Sequence, residues 1–232
     1  MASTILITGA NRGIGFEFTQ QYAEAGWRVI ACCREPDNAQ RLDGVRNDHE
    51  EEVSIHRLDV TNSEHIKALA ASIGDTPIDI LLNNAGIYGR RDAILGNTDE
   101  DQWLETFRVN TIAPIKVMEA FIDVVAASKR KVFASITSKM GSIADNTSGG
   151  SYVYRSSKAA LNAAMKSAAN DLKGRGISVV VIHPGWVRTD MGGPGALLRV
   201  EQSAKSIREL LGRVSVKDTG KFFDYDGTVI PW

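Results

Sequence analysis

The sequence predicts an α/β fold: one domain on a doubly wound, mostly parallel sheet of about seven strands, with helices on both faces. Three observations predict it. Short apolar runs recur along the chain, and several are continuous rather than alternating, as in parallel strands buried on both faces. Longer segments with helical periodicity separate these runs and supply the crossovers. With 232 residues, 43% of them hydrophobic, the chain has the size and the apolar content of one large α/β domain.

Residues 5–7 form the first strand, and a glycine-rich turn leads into a helix over 16–25. The second strand covers 29–33. Residues 53–58 alternate and end at Asp59, giving the third. The fourth, 78–82, is apolar except for Asp79. Residues 131–136 and 177–182 are the fifth and sixth, and a last strand lies in 221–225. Helical patterns cover 63–73, 99–127 with a break near Pro114, 152–173 and 201–211. The loosest stretch is 190–195, whose three glycines and one proline predict a mobile loop.

Charge excludes several classes. The 27 basic and 28 acidic residues are interspersed and leave a net charge of −1, unlike the basic footprint of a nucleic-acid binder. No stretch approaches the roughly 18 apolar residues of a membrane helix, and the N-terminus lacks the pattern of a signal peptide. Cys32 and Cys33 are adjacent with no distant partner, which points to a reducing compartment and a cytoplasmic location. The four histidines show no metal spacing, so no metal is expected.

Residues 8–15 read TGANRGIG. Gly9, Gly13 and Gly15 follow a strand and open a helix, where they let the backbone turn sharply and a pyrophosphate approach without a Cβ clash. The helix N-terminus adds free N–H groups and partial positive charge. At the end of the second strand an acidic residue would bind the ribose of NAD, but Cys33-Arg34 stands there and Arg12 lies in the loop. Two guanidinium groups suit a 2′-phosphate, so NADP(H) is the expected cofactor, although a lone Arg34 would more often be a solvated charge. Asp59 can reach the adenine or cap the helix after Thr61.

The glycine loop, Asn83-Asn84-Ala85-Gly86 after the fourth strand, and Tyr154 with Lys158 occur in order. Together they resemble the short-chain dehydrogenase/reductase family over nearly the whole chain. The stretches GSIADNTSGGSYVYRSSKAALN (141–162) and GKFFDYDGTVIPW (220–232) resemble its C-factor and sniffer-type carbonyl reductase subgroup.

The resemblance implies a Rossmann-type fold, with a dinucleotide-binding part over about 1–110 and a catalytic and substrate part over about 110–232. It implies that Thr8, Gly9, Asn11, Arg12, Gly13, Ile14 and Gly15 hold the dinucleotide, with Arg34, Asp59 and Val60 at its adenosine end. Asn84, Ala85 and Gly86 would line the crevice, and Pro184, Gly185, Val187 and Thr189 the nicotinamide end. Asn110, Ser138, Tyr154 and Lys158 match the catalytic tetrad. The implied activity is NADPH-dependent reduction of a ketone or aldehyde, with a small-molecule carbonyl or alcohol as partner. The subgroup also holds proteins named for signalling, so an NADP-binding regulator with incidental catalysis is the alternative. The interval from Ser138 to Tyr154 is a few residues longer than the family's commonest pattern, and the loop after Thr189 is short, which implies a small lid and an open site.

Only Tyr154, of the two tyrosines beginning this helix, has a lysine four residues later on the same face. A nearby ammonium is expected to lower the phenol from its ordinary pKa of about 10, fitting it to give a proton as hydride arrives. Ser138 ends the fifth strand, with Ser135 and Thr137 as rivals. Asn110 is a poor mid-helix residue, read either as a kink ahead of Pro114 or as a helix break holding a water near Lys158. The small residues after Lys158 fit burial in a monomer or packing in a homo-oligomer, dimer or tetramer. Arg90 and Arg91 border the substrate entrance or are solvated.

Overall fold

A computed structural model describes residues 2–232. Seven strands, β1 (Thr4–Thr8), β2 (Arg28–Cys33), β3 (Val53–Arg57), β4 (Ile80–Asn83), β5 (Val132–Ile136), β6 (Ser178–His183) and β7 (Phe222–Asp224), form one sheet in the order β3-β2-β1-β4-β5-β6-β7. Every neighbouring pair is parallel. All residues of β1, β4 and β5 are buried, which is why their sequences are continuous rather than alternating. Asp79, the polar residue before β4, is buried because it accepts from the Thr4 and Arg130 amides at 2.9 and 3.3 Å and so ties three strand starts together.

The helices are α1 (Gly13–Glu24), α2 (Gln40–Asp48), α3 (Ser63–Ile73), α4 (Glu100–Phe107), α5 (Ala113–Ala126), α6 (Tyr152–Leu172) and α7 (Val200–Arg213). On one face of the sheet α1, α2 and α7 bury Phe18, Tyr22, Leu42, Ile207 and Leu211. On the other, α3, α5 and α6 bury Leu69, Val117, Phe121, Leu161 and Met165. No helix among the described residues is long and apolar enough to cross a membrane.

One element differs from the sequence reading. Helix α2 has no counterpart there, since Leu42 and Val45 are its only buried residues and Gly44 interrupts it. The 99–127 pattern breaks at a π-turn over Arg108–Ile112, upstream of Pro114. Pro114 lies in the first turn of α5, directly after the π-turn.

The strand order reverses direction between β1 and β4. Their carboxyl ends therefore face a crevice, the place where open α/β sheets bind ligands.

Candidate active site

Thr8 and Asn84 build the floor of that crevice. The Thr8 hydroxyl accepts from the Asn84 and Ala85 amides at 3.0 and 3.1 Å. The Asn84 side-chain amide donates to the Thr8 and Gly9 carbonyls at 2.9 and 3.1 Å. These groups frame the cradle, and Gly9 presses against Ala85, leaving 3.0 Å for a Cβ. A side-chain carbon on Gly15 would overlap the Gly9 carbonyl oxygen.

The cradle fits a dinucleotide pyrophosphate. No side chain caps α1, no acidic residue stands in its first turn, and Asn11 and Arg12 are exposed at its mouth. The first amide to find a carbonyl is Phe16, which donates to Arg12, leaving those of Gly13, Ile14 and Gly15 for an anion. Ile14 packs its side chain on the core.

At the adenosine end the two predicted arginines part. Arg34 is exposed at the end of β2, close enough to Asp59 to help lower its carboxyl. Arg12 reaches the other way and pairs with Asp190 at 3.2 Å, so it does not converge with Arg34 in this geometry. Both partners of that pair are exposed, and such a bridge is worth about 0–1 kcal/mol. Asp59 accepts from the amide and hydroxyl of Thr61. The cap of α3 is Asn62, not Asp59. Val60 packs against the core beside them.

The segment after β6 closes the other end. Gly185 at φ 81° has Tyr225 and Leu198 on the side a Cβ would take, and the Pro184 carbonyl accepts from Ser203 at 2.6 Å. Val187 bridges to Leu198, and the Thr189 methyl lies 3.4 Å from the Cβ position of Gly13. In the 190–195 stretch Gly192 donates to Thr189 and accepts from the Trp186 indole.

Ser138, Tyr154 and Lys158 come together above β5. Ser138 lies two residues beyond the strand and caps a short turn by accepting from the Met140 amide at 3.2 Å. Its own O–H stays available to donate. The rivals are engaged: Thr137 donates to Asn162 at 2.7 Å, and Ser135 sits within the sheet among Asn83 and Met165. Asn110 is fully buried in the π-turn. Its amide exchanges bonds with both backbone groups of Ile87 and donates to Ser157, which holds Gly86 beside Lys158.

The electrostatics correct the sequence expectation. Burial pushes the Tyr154 phenol up to about 12, and the Ser138 hydroxyl is the neighbour that pulls it down. Lys158, itself pushed down to about 8 by burial, donates to the Ile136 carbonyl at 3.0 Å. Its ammonium is 5.8 Å from the Tyr154 ring centre. Desolvation dominates both shifts. Tyr154 is thus held as the neutral acid through the neutral range.

The buried ammonium destabilises the fold. A displacement of that size is worth roughly 3 kcal/mol at neutral pH, against about 1–3 kcal/mol for orphaning the Ile136 carbonyl. The Lys158 pKa is depressed, so the unfolded chain binds more protons between pH 8 and 10.5, and stability rises with pH across that window. Lys158→Met is therefore expected to melt no lower than wild type at pH 7 and to lose part of that rise, read by thermal unfolding at both pH values.

Some neighbours were not legible as site residues. Tyr88 stacks on Tyr154, ring centres 4.3 Å apart and planes 19° apart. Arg91 reaches over the Tyr88 ring at 5.1 Å and donates to the Asp190 and Met191 carbonyls, while Arg90 pairs with Asp92. Trp186 is 55% exposed at the mouth. Of these, only Arg90 and Arg91 gave a signal, as charges in the loop after Gly86. A cavity of about 280 Å³ lined by Met140, Ile143, Tyr152 and Arg155 flanks α6 on its neighbouring face.

A family model described as short chain dehydrogenase matches residues 3–195. The chain is 41% identical to C-signal of Myxococcus xanthus over 167 residues, 72% of this chain and all of that protein. Its structure is similar to carbonyl reductase Sniffer of D. melanogaster (TM-score 0.93, 33% identity, all of both chains). It is also similar to an NADPH-bound carbonyl reductase from chicken fatty liver (TM-score 0.92, 35% identity, 100% of this chain and 99% of that one). Sequence match, strand order and site geometry agree, and the chain belongs to the short-chain dehydrogenase/reductase family of oxidoreductases.

Proposed function

We propose that the protein is a carbonyl reductase that uses NADPH to convert a ketone or aldehyde into an alcohol, with Tyr154 as the proton donor. The observation that carries this reading is the convergence of Ser138, Tyr154 and Lys158 beside an uncapped, glycine-lined helix N-terminus. The dinucleotide is NADP(H), which structures similar to this chain hold.

The amides of Gly13, Ile14 and Gly15 would hold the pyrophosphate, Arg34 the 2′-phosphate, and residues 184–189 the nicotinamide end. When bound, the dinucleotide supplies a hydride to the carbonyl carbon. Ser138 donates to the carbonyl oxygen and keeps it beside Tyr154. As charge builds on that oxygen, the phenolic proton of Tyr154 passes to it, because an alkoxide is a far stronger base than a phenolate. Lys158, one turn along α6 and still largely protonated at pH 7, returns the proton. The π-turn carrying Asn110 stands beside that amine, and a water held there would relay the proton from solvent. The two buried free cysteines fit a cytoplasmic setting.

The test is a panel of aldehydes, ketones and quinones assayed with NADPH and with NADH. Turnover with NADPH is expected; tight binding with no turnover across the panel would favour a regulator, the reading to which the name C-signal draws attention. Arg34→Leu is expected to weaken NADPH binding roughly 10- to 100-fold, the loss of one charge-assisted contact, and to leave NADH binding unchanged. Equal losses for both would remove Arg34 from the 2′-phosphate site.

A further inference from the structure

We propose that Tyr88 is a positioning residue for Tyr154, clamping the proton donor's ring and the first turn of α6 from the loop after β4. This deepens the reading of Tyr154 as proton donor and rests on it.

Four contacts carry the inference. The Tyr88 ring lies on the Tyr154 ring at 4.3 Å, nearly parallel. Its hydroxyl is hydrogen-bonded to the Ser151 hydroxyl at 3.1 Å. Ser151 is the residue from which α6 starts, and it follows Gly149 and Gly150 with a third consecutive positive φ, 47°. A serine held in that region needs its surroundings to hold it there. The Ala93 carbonyl accepts from the Tyr152 amide at 3.3 Å, so the same loop grips the helix start twice. Gly89 makes the close approach feasible: a Cβ there would lie 2.9 Å from Thr106 and 3.3 Å from Val153.

The clamp bears on chemistry, not only on order. Tyr88 covers the phenol ring and is among the groups that raise its pKa. The charged and titratable groups around Tyr154 are Lys158 on its own helix, Tyr88 from the loop after β4, and Arg91 above Tyr88. Taking the Tyr88 ring away exposes the phenol and removes a neighbouring phenol. Both changes lower its pKa.

The experiment compares Tyr88→Leu and Tyr88→Phe with wild type. With a carbonyl substrate, Tyr88→Leu is expected to lower kcat roughly 10- to 100-fold, as small misplacements of reacting groups do. NADPH affinity should be unchanged, and the alkaline limb of kcat should move to lower pH. Tyr88→Phe keeps the stack but loses the neighbouring phenol, and its limb is expected to lie between those of Tyr88→Leu and wild type. Wild-type kcat and limb in Tyr88→Leu overturn the proposal, and so does a lowered kcat with an unmoved limb, which marks a merely structural role.

A second readout needs no turnover. In the NADP⁺ complex of protein labelled with ¹³Cζ-tyrosine, the Tyr154 signal is assigned by its loss in Tyr154→Phe. A lower titration midpoint in Tyr88→Leu supports the clamp, and an identical midpoint overturns it, even if wild type proves inactive with every carbonyl tried and the reductase reading falls. Should Tyr88→Leu not fold, Tyr88→Phe and Ser151→Ala decide: equal, severalfold losses of kcat, or equal shifts of the Tyr154 signal, are expected from the shared bond. Wild-type values in both overturn it.

Discussion

Tyr154→Phe is expected to lower kcat for carbonyl reduction by roughly 10²- to 10⁴-fold, the usual contribution of a positioned acid. NADPH binding should be unchanged. Phenylalanine keeps the stack with Tyr88 and the burial of the ring and removes one oxygen. The Ser138 hydroxyl would remain to polarise the carbonyl, so substrate binding should fall less than turnover. Steady-state kinetics beside a fluorescence titration with NADPH separates these effects. Retained kcat would mean that another group supplies the proton.

Gly15→Val is expected to weaken NADPH binding by roughly 100-fold. The new side chain would overlap the Gly9 carbonyl and the Asn84 amide, the two groups whose hydrogen bond joins the loops after β1 and β4. Forcing atoms into such a place costs about 1–3 kcal/mol, and the broken Asn84 bonds add about 1 kcal/mol each. A factor of ten corresponds to about 1.4 kcal/mol. Gly44→Ala is the control. No atom lies within 4 Å of a Cβ at Gly44 in α2, so alanine there should leave binding alone and stabilise the helix by roughly 0.5–1 kcal/mol. A calorimetric titration of both variants checks the contrast.

Much of the scaffold could be read from the chain because burial on both faces writes itself as uninterrupted apolar runs. β1, β4, β5 and β6 were visible for that reason, and the glycine loop was visible because its position between strand and helix gives three glycines a shared cause. Helix α2 was not, since two buried side chains make no periodic signal. Asn110, a poor mid-helix residue, marked the break, which is a π-turn over Arg108–Ile112 ending two residues ahead of Pro114.

At the site, the i, i+4 spacing correctly placed Tyr154 and Lys158 on one face but misjudged their energetics. Spacing says nothing of burial, and burial turns out to raise the phenol and depress the amine. The side chains of Thr8 and Asn84, expected at the cofactor, join the two loops that frame the crevice. Arg12 was expected beside Arg34 and lies across the crevice with Asp190. Tyr88 was invisible as a neighbour of Tyr154 because 66 residues of chain and a crossover separate them. Such pairings exist only once the sheet has brought the loops after β4 and β5 together.

The most direct test of the account follows deuterium into product from NADPH deuterated at both C4 positions of the nicotinamide. Wild-type protein, a reducible ketone and the labelled cofactor should yield the alcohol with one deuterium on the carbinol carbon, read by mass spectrometry, and Tyr154→Phe should yield almost none. An unlabelled alcohol, or no alcohol from any carbonyl while NADPH binds tightly, would contradict hydride transfer in this crevice.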